Sequence, residues 1–252
     1  MEPFLLAFAR AAAVVALHPV FGGRSLPRPA AAGVAAAIAL AVAGLRADMA
    51  AGGLPLPLAM MLLREAAVGA MIGALGQAAF GASEAAGRLA DDARGAGTAQ
   101  TYAPQTETFP SPLAALELQL ATAVFWTAGL HATLVAAVAS SYDAIPAAGP
   151  LHRAGEGTAL GVMLGVAGQL ARSALGIAAP AVAACAVADF LFGLVNRAAP
   201  QANVFFMSLA AKLCLATLLT AATMPGRVEA WARVWSAERA AWAEAAAALG
   251  GR

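Results

Sequence analysis

Charge is scarce in this chain. Of its 252 residues, 15 are Lys or Arg and 14 are Asp or Glu, so charged side chains make up 12%, where an ordinary soluble domain carries about a quarter. That is too little polar surface to cover a globule of this size, and it excludes a conventional water-soluble enzyme. Disorder is excluded too, because a net charge of +1 and 61% hydrophobic residues are the opposite of a chain that cannot bury apolar surface. Lysine occurs once, at Lys212, so no P-loop of the GxxxxGK[ST] type exists and the chain is not itself a Walker-type ATPase. The same shortage leaves no basic stripe, and nucleic acid is not an expected partner. Cysteine occurs twice, at Cys185 and Cys214 inside apolar runs, which reads as buried thiols and not as a disulfide framework. The three histidines, His18, His131 and His152, have no ligand spacing, so no metal is assigned. Gly81-Ala82-Ser83-Glu84-Ala85 lacks the closing glycine and the preceding strand of a nucleophile elbow. No catalytic residue and no cofactor site emerge, and the chain is not expected to be an enzyme.

What is present is hydrophobic length, with a mean hydropathy of +0.75. Apolar stretches recur at Pro3–Val20, Ala30–Leu45, Leu54–Ser83, Leu113–Tyr142, Gly157–Asp189 and Phe190–Met224, about six helical segments on the scale of the roughly 20 residues a spanning helix needs. The clearest span is the charge-free run of 25 residues from Leu118 to Tyr142. Pro180 and Pro200 are expected to kink or divide the last two segments. Roughly three residues in ten are Ala, which favours helix, and no sustained period-2 alternation supports a barrel. The expected fold is all-α and integral to a membrane. Gly69-x-x-x-Gly73 and Gly161-x-x-x-Gly165 are spaced to let helix backbones approach closely. The N-terminal run opens with Glu2, is interrupted by Arg10 and ends at His18-Pro19, so it is expected to be a retained membrane helix and not a cleaved leader.

Charges intrude on these runs: Arg10, Arg64, Glu65, Glu117, Arg172, Asp189, Arg197 and Lys212. Each costs about 2.5–3.5 kcal/mol at the centre of a lipid-facing span, which argues that many helices face protein or water. One long polar interval, Glu84–Pro112, carries a charge cluster and then Gly95, Gly97, Pro104, Pro110 and Pro112, so its second half is expected to be looped. Asp91 and Asp92 would point about 100° apart on a helix, with Arg88 and Arg94 in salt-bridge reach, which makes a structural cluster and not an acid/base pair. Residues 1–226 read as the membrane-embedded part and 227–252 as an amphipathic helical tail, with Trp231, Trp235 and Trp242 on one face suited to an interface.

Four blocks resemble the SctT/YscT/SpaR/HrcT family of type III secretion export apparatus subunits, paralogous to flagellar FliR. They are Phe8–Leu40 with its Pro19-Val20-Phe21-Gly22 turn, Ala90–Gln100 followed by Pro104 and Ser111-Pro112-Leu113, Ser140-Ser141-Tyr142 with Pro146, and Asp189–Lys212. In the last, Asn196-Arg197-x-x-Pro200-Gln201-x-Asn203-Val204-Phe205 is the most specific element. Asp92-x-Arg94-Gly95 is similar to the injectisome branch, although Ala93 departs from the Asn-Gln common between acid and Arg-Gly there, which keeps the flagellar branch open.

The resemblance implies a multi-pass subunit of a helical export gate in the bacterial inner membrane, built from helical hairpins. It would assemble with SctR/FliP-like and SctS/FliQ-like subunits, and with an SctU/FlhB-like switch protein, around a channel for unfolded exported proteins, with membrane lipid at its outer face. It further implies a channel plug formed by Gly95, Gly97, Thr98, Gln100, Pro104, Ser111 and Pro112, its base formed by Asp91, Asp92 and Arg94, and a subunit interface at Asp189, Asn196, Arg197, Pro200, Asn203, Phe205 and Lys212. The rival of another class is a secondary transporter, in which intramembrane charges and Pro-broken helices would form a solute site.

Overall fold

A computed structural model describes residues 2–22, 26–45, 57–96, 111–147, 158–201 and 203–236, and among these every regular element is a helix. The helices are α1 (Glu2–Leu17), α2 (Arg28–Leu45), α3 (Leu58–Ala93), α4 (Pro112–Thr127), α5 (Leu130–Ala144), α6 (Thr158–Ala198) and α7 (Val204–Ala222), followed by α8 over residues 224–236. Three helical stretches, Leu58–Ala93, Leu164–Ala198 and Val204–Ala222, are long and apolar enough to cross a membrane, and the bent pair α4–α5 counts as a fourth candidate. The protein is an all-α membrane protein.

Three boundaries differ from the sequence expectation. The run Leu118–Tyr142 is not one straight span: it breaks at Gly129, whose φ of 70° is a left-handed conformation that glycine adopts at little cost. The division expected between Asp189 and Phe190 lies instead at residues 199–203, because α6 continues through Pro180. A proline inside an apolar helix loses one backbone hydrogen bond, which neighbouring groups can re-satisfy. Pro200, by contrast, stands in the turn that ends α6. At the other end of the polar interval, α3 runs on through Glu84 to Ala93 before the chain turns.

The chain forms two compact units. In the first, made of residues 1–80, 125–168 and 235–252, α1 packs along α2, and Leu6, Val14, Ile38, Val42, Ile72, Leu134 and Val138 share one core. The Gly69/Gly73 pair makes this packing possible. A Cβ at Gly69 would sit 2.1 Å from the Arg10 carbonyl oxygen, and one at Gly73 would sit 2.8 Å from the Leu17 Cβ. Gly161 and Gly165, with the same spacing, have nothing within 4 Å among the described residues, so that pair serves no contact there. His18, buried at the end of α1, lies in an aromatic nest with Phe21, Phe80 and Phe125 at centroid distances of 5.2–5.5 Å. Trp235 closes on Phe80 at 4.8 Å.

The second unit comprises residues 81–124 and 169–234. Its core gathers Ala90, Leu113, Ala181, Cys185 and Ala216. Small residues again set the distance between helices: a Cβ on Gly87 would meet the Ala114 Cα at 2.3 Å. Trp231 is fully buried here and donates from Nε1 to Glu117 Oε2 at 3.3 Å. The tryptophan face read as lying at a membrane interface is therefore turned into protein at Trp231 and Trp235, while Trp242 lies outside the described residues. A buried indole N–H needs a hydrogen-bond partner, and for Trp231 Glu117 supplies it.

Candidate functional site

The charges that looked misplaced in the sequence are mostly paired. In the first unit, Arg10 is completely buried and uses its whole guanidinium. Nε donates to Glu65 Oε2 at 2.8 Å, Nη1 to Ser141 Oγ at 2.7 Å and Nη2 to the Ile145 carbonyl at 3.0 Å, while the plane stacks 3.6 Å over the Tyr142 ring. Arg64 reaches the same chain end, donating to the Pro146 and Ala147 carbonyls. A buried ion survives only when its partners replace water, and this node ties α1 and α3 to the end of α5. Its members were visible in the sequence as single charges and as a Ser-Tyr-x-x-x-Pro pattern; nothing in the spacing joined them.

In the second unit part of the charge cluster at the end of α3 is tied to the start of α4. Asp91 and Arg94 form a buried ion pair. Asp91 also accepts hydrogen bonds from the Ser111 hydroxyl and, through Oδ2, from the Leu113 backbone N–H at 2.9 Å. Ser111 caps α4, its Oγ accepting from the Ala114 N–H at 3.3 Å, and Pro112 occupies the first helical position, where its missing N–H costs nothing. On the other side Gly95 ends α3 with φ 81°, and a Cβ there would press on Leu209 at 2.9 Å. One carboxylate thus holds together the two ends of the intervening segment. Asp92 is exposed and takes no part in this contact. Arg88 pairs with Glu84, not with either aspartate, because Glu84 lies one turn back on the same face. Gly97, Thr98, Gln100 and Pro104 lie outside the described residues.

The α6–α7 hairpin carries the other expected group. Asp189 and Lys212 form an ion pair at 2.7 Å. Asn196, Arg197, Pro200 and Asn203 are exposed around the turn, and Phe205 is exposed beside Phe206, edge to face at 5.4 Å. Large apolar side chains stand open along both helices, including Phe190 at 69% and Leu218 at 68% exposure. Near the far end of α7, Arg227 forms a buried ion pair with Glu117. Among the described residues no cluster of three or more His, Cys, Asp or Glu side chains could hold a metal ion. The arrangement suits packing and charge pairing between helices.

Over 162 residues, 64% of this chain and 62% of the relative, the chain is 30% identical to the Yop proteins translocation protein T of Yersinia pestis, and equally to that of Yersinia pseudotuberculosis. It is 31% identical over 159 residues to the surface presentation of antigens protein SpaR of Salmonella typhimurium, covering 63% of this chain and 59% of SpaR. The aligned part spans a little under two thirds of the length of these curated relatives. The family described as bacterial export proteins, family 1, matches residues 1–237, nearly the whole membrane-helical chain, and this protein belongs to that family.

Proposed function

We propose that the protein is a core component of a type III protein secretion apparatus of the injectisome kind. It sits as a multi-pass export-gate subunit in the bacterial inner membrane, with residues 1–226 embedded and 227–252 as its tail. It assembles with SctR/FliP-like and SctS/FliQ-like subunits and an SctU/FlhB-like switch protein, and the gate passes unfolded proteins without catalysis by this chain. Family membership and the names of its relatives support the reading. The observation that carries it is the α6–α7 hairpin, whose open apolar faces also bear a charge pair at depth and polar groups at the turn. Apolar surface alone suits lipid, but an ion pair and exposed Asn196, Arg197 and Asn203 call for partners that can satisfy them.

Expressed alone, the chain is expected to be degraded or to aggregate on extraction; coexpressed with the two gate subunits, it should copurify as one detergent-stable complex. A monodisperse lone chain that moves a small solute into liposomes would overturn this reading in favour of a secondary transporter.

Within the gate, the segment from Gly95 to Pro112 acts as the plug, and Asp91 with Arg94 holds its base against Ser111. Irregular backbone at membrane depth is tolerated where it faces water or protein. Deleting residues 97–110 is expected to raise the resting ion leak of cells carrying the assembled gate. Unchanged resting conductance together with normal export would remove the plug.

A further inference from the structure

One cleft in the second unit has no place in the gate described above. About 540 Å³ in volume, it lies between α6 and the start of α8, lined among others by Gln169, Ser173, Pro180, Thr223, Arg227 and Arg233. Pro180 lies as far back along α6 from the turn as Ala222 lies forward along α7. The cleft therefore begins where the antiparallel apolar pair ends, a helix length of about 28 Å from the turn, close to the thickness of a hydrocarbon core.

Its chemistry is that of an anion site with an apolar runway. Arg227 is 3% exposed; its Nε donates to Thr223 Oγ1 at 2.9 Å and its Nη1 to Glu117, while Nη2 has no hydrogen-bond partner among the described residues. Arg233 stands at the mouth, largely exposed, with Glu229 at 3.8 Å. Steps of seven residues from Pro180 through Val187 to Leu194 return to nearly the same helix face, and both Val187 and Leu194 are open, at 59% and 51%. A soluble anion would gain nothing from that apolar line, and a wholly apolar occupant would leave the Nη2 edge of Arg227 unanswered.

We infer that this cleft binds an anionic phospholipid. Its phosphate oxygens accept hydrogen bonds from Arg233 and from the unmet edge of Arg227, with the Ser173 hydroxyl beside them, and an acyl chain lies along Val187 and Leu194. The inference needs only the membrane location and not the export role.

The test is spin-labelled lipid association with the full chain, alone or in its complex, in phosphatidylcholine vesicles containing phosphatidylglycerol. Labelled phosphatidylglycerol is expected to associate about fivefold more strongly than labelled phosphatidylcholine, the scale of one basic group at a membrane surface. Arg233→Glu changes an exposed residue and should abolish the preference without altering the thermal midpoint. Ser173→Leu, which fills the cleft and leaves the charge unchanged, should do the same, separating a site from diffuse attraction. Equal association of both lipids with the unmodified chain, as a cleft filled by a partner polypeptide would give, overturns the inference. So does a preference that survives either substitution, or one that inorganic phosphate abolishes at constant ionic strength, since that would mark a site for the free anion.

Discussion

Glu65→Ala is expected to be among the most damaging single substitutions in the chain, with Arg10→Ala close behind. Each removes one half of an ion pair in which both side chains are completely buried. What remains is an ion held in a low-dielectric interior without its counter-charge, a situation that costs about 3–5 kcal/mol in proteins where it has been measured. For a chain of this length that corresponds to a fall of about 10 °C in the thermal midpoint, read in detergent, with a matching loss of protein from the membrane fraction. Ser141 and the Ile145 carbonyl still accept from Arg10 in the Glu65 variant, but neutral acceptors compensate a full charge poorly.

The double replacement Arg10→Met with Glu65→Leu should recover most of the loss, since a buried pair exchanged for apolar groups of similar volume is often close to neutral. Full recovery is not expected, because the Ile145 carbonyl loses its donor, at a cost of about 1 kcal/mol. Single variants as stable as the parent, or a double variant no better than the singles, would mean that the node does not hold α1, α3 and α5 together.

Gly69→Ala should be nearly as damaging, although it adds a single methyl group. That methyl would lie 2.1 Å from the Arg10 carbonyl oxygen and 3.0 Å from the Ala13 Cβ, and backbone cannot rotate away as a side chain can. Helices α1 and α3 would have to separate, at a cost on the order of 1–3 kcal/mol for overpacking. The displacement would also draw Arg10 off Glu65, so the two effects share a cause. Gly161→Ala is the control. It has the same chemistry in the same kind of spacing, with nothing within 4 Å, and should be neutral or slightly stabilising because alanine favours helix by up to about 1 kcal/mol. Equal thermal midpoints for the two variants would show that α1 and α3 do not approach closely at Gly69.

These cases divide what could be read along the chain from what could not. The helical class, the membrane environment and the turn at Pro200 follow from composition and from signals a few residues long. So does the base of the intervening segment in part, since Ser111-Pro112 is a local helix-start signal and Gly95 a local helix-stop signal. The specific pattern around Asn196 and Pro200 carried the family resemblance for the same reason. Reading failed where the answer depended on what lies opposite. The boundary expected at Asp189 and the single span Leu118–Tyr142 were judged by local rules: the helix ran on to Ala198 past the first, and a left-handed glycine broke the second.

By itself, then, the sequence determined that this protein is a helical membrane chain of an export family, because helix formation and lipid compatibility are decided over windows of a turn to a span. Only the tertiary structure decided which charges meet, Arg10 with Glu65 across 55 positions and Glu117 with Arg227 across 110, which of two identical glycine spacings is used, and that the tryptophans of α8 face inward. Those outcomes depend on how helices cross, and a crossing brings together residues whose separation along the chain carries no trace of it.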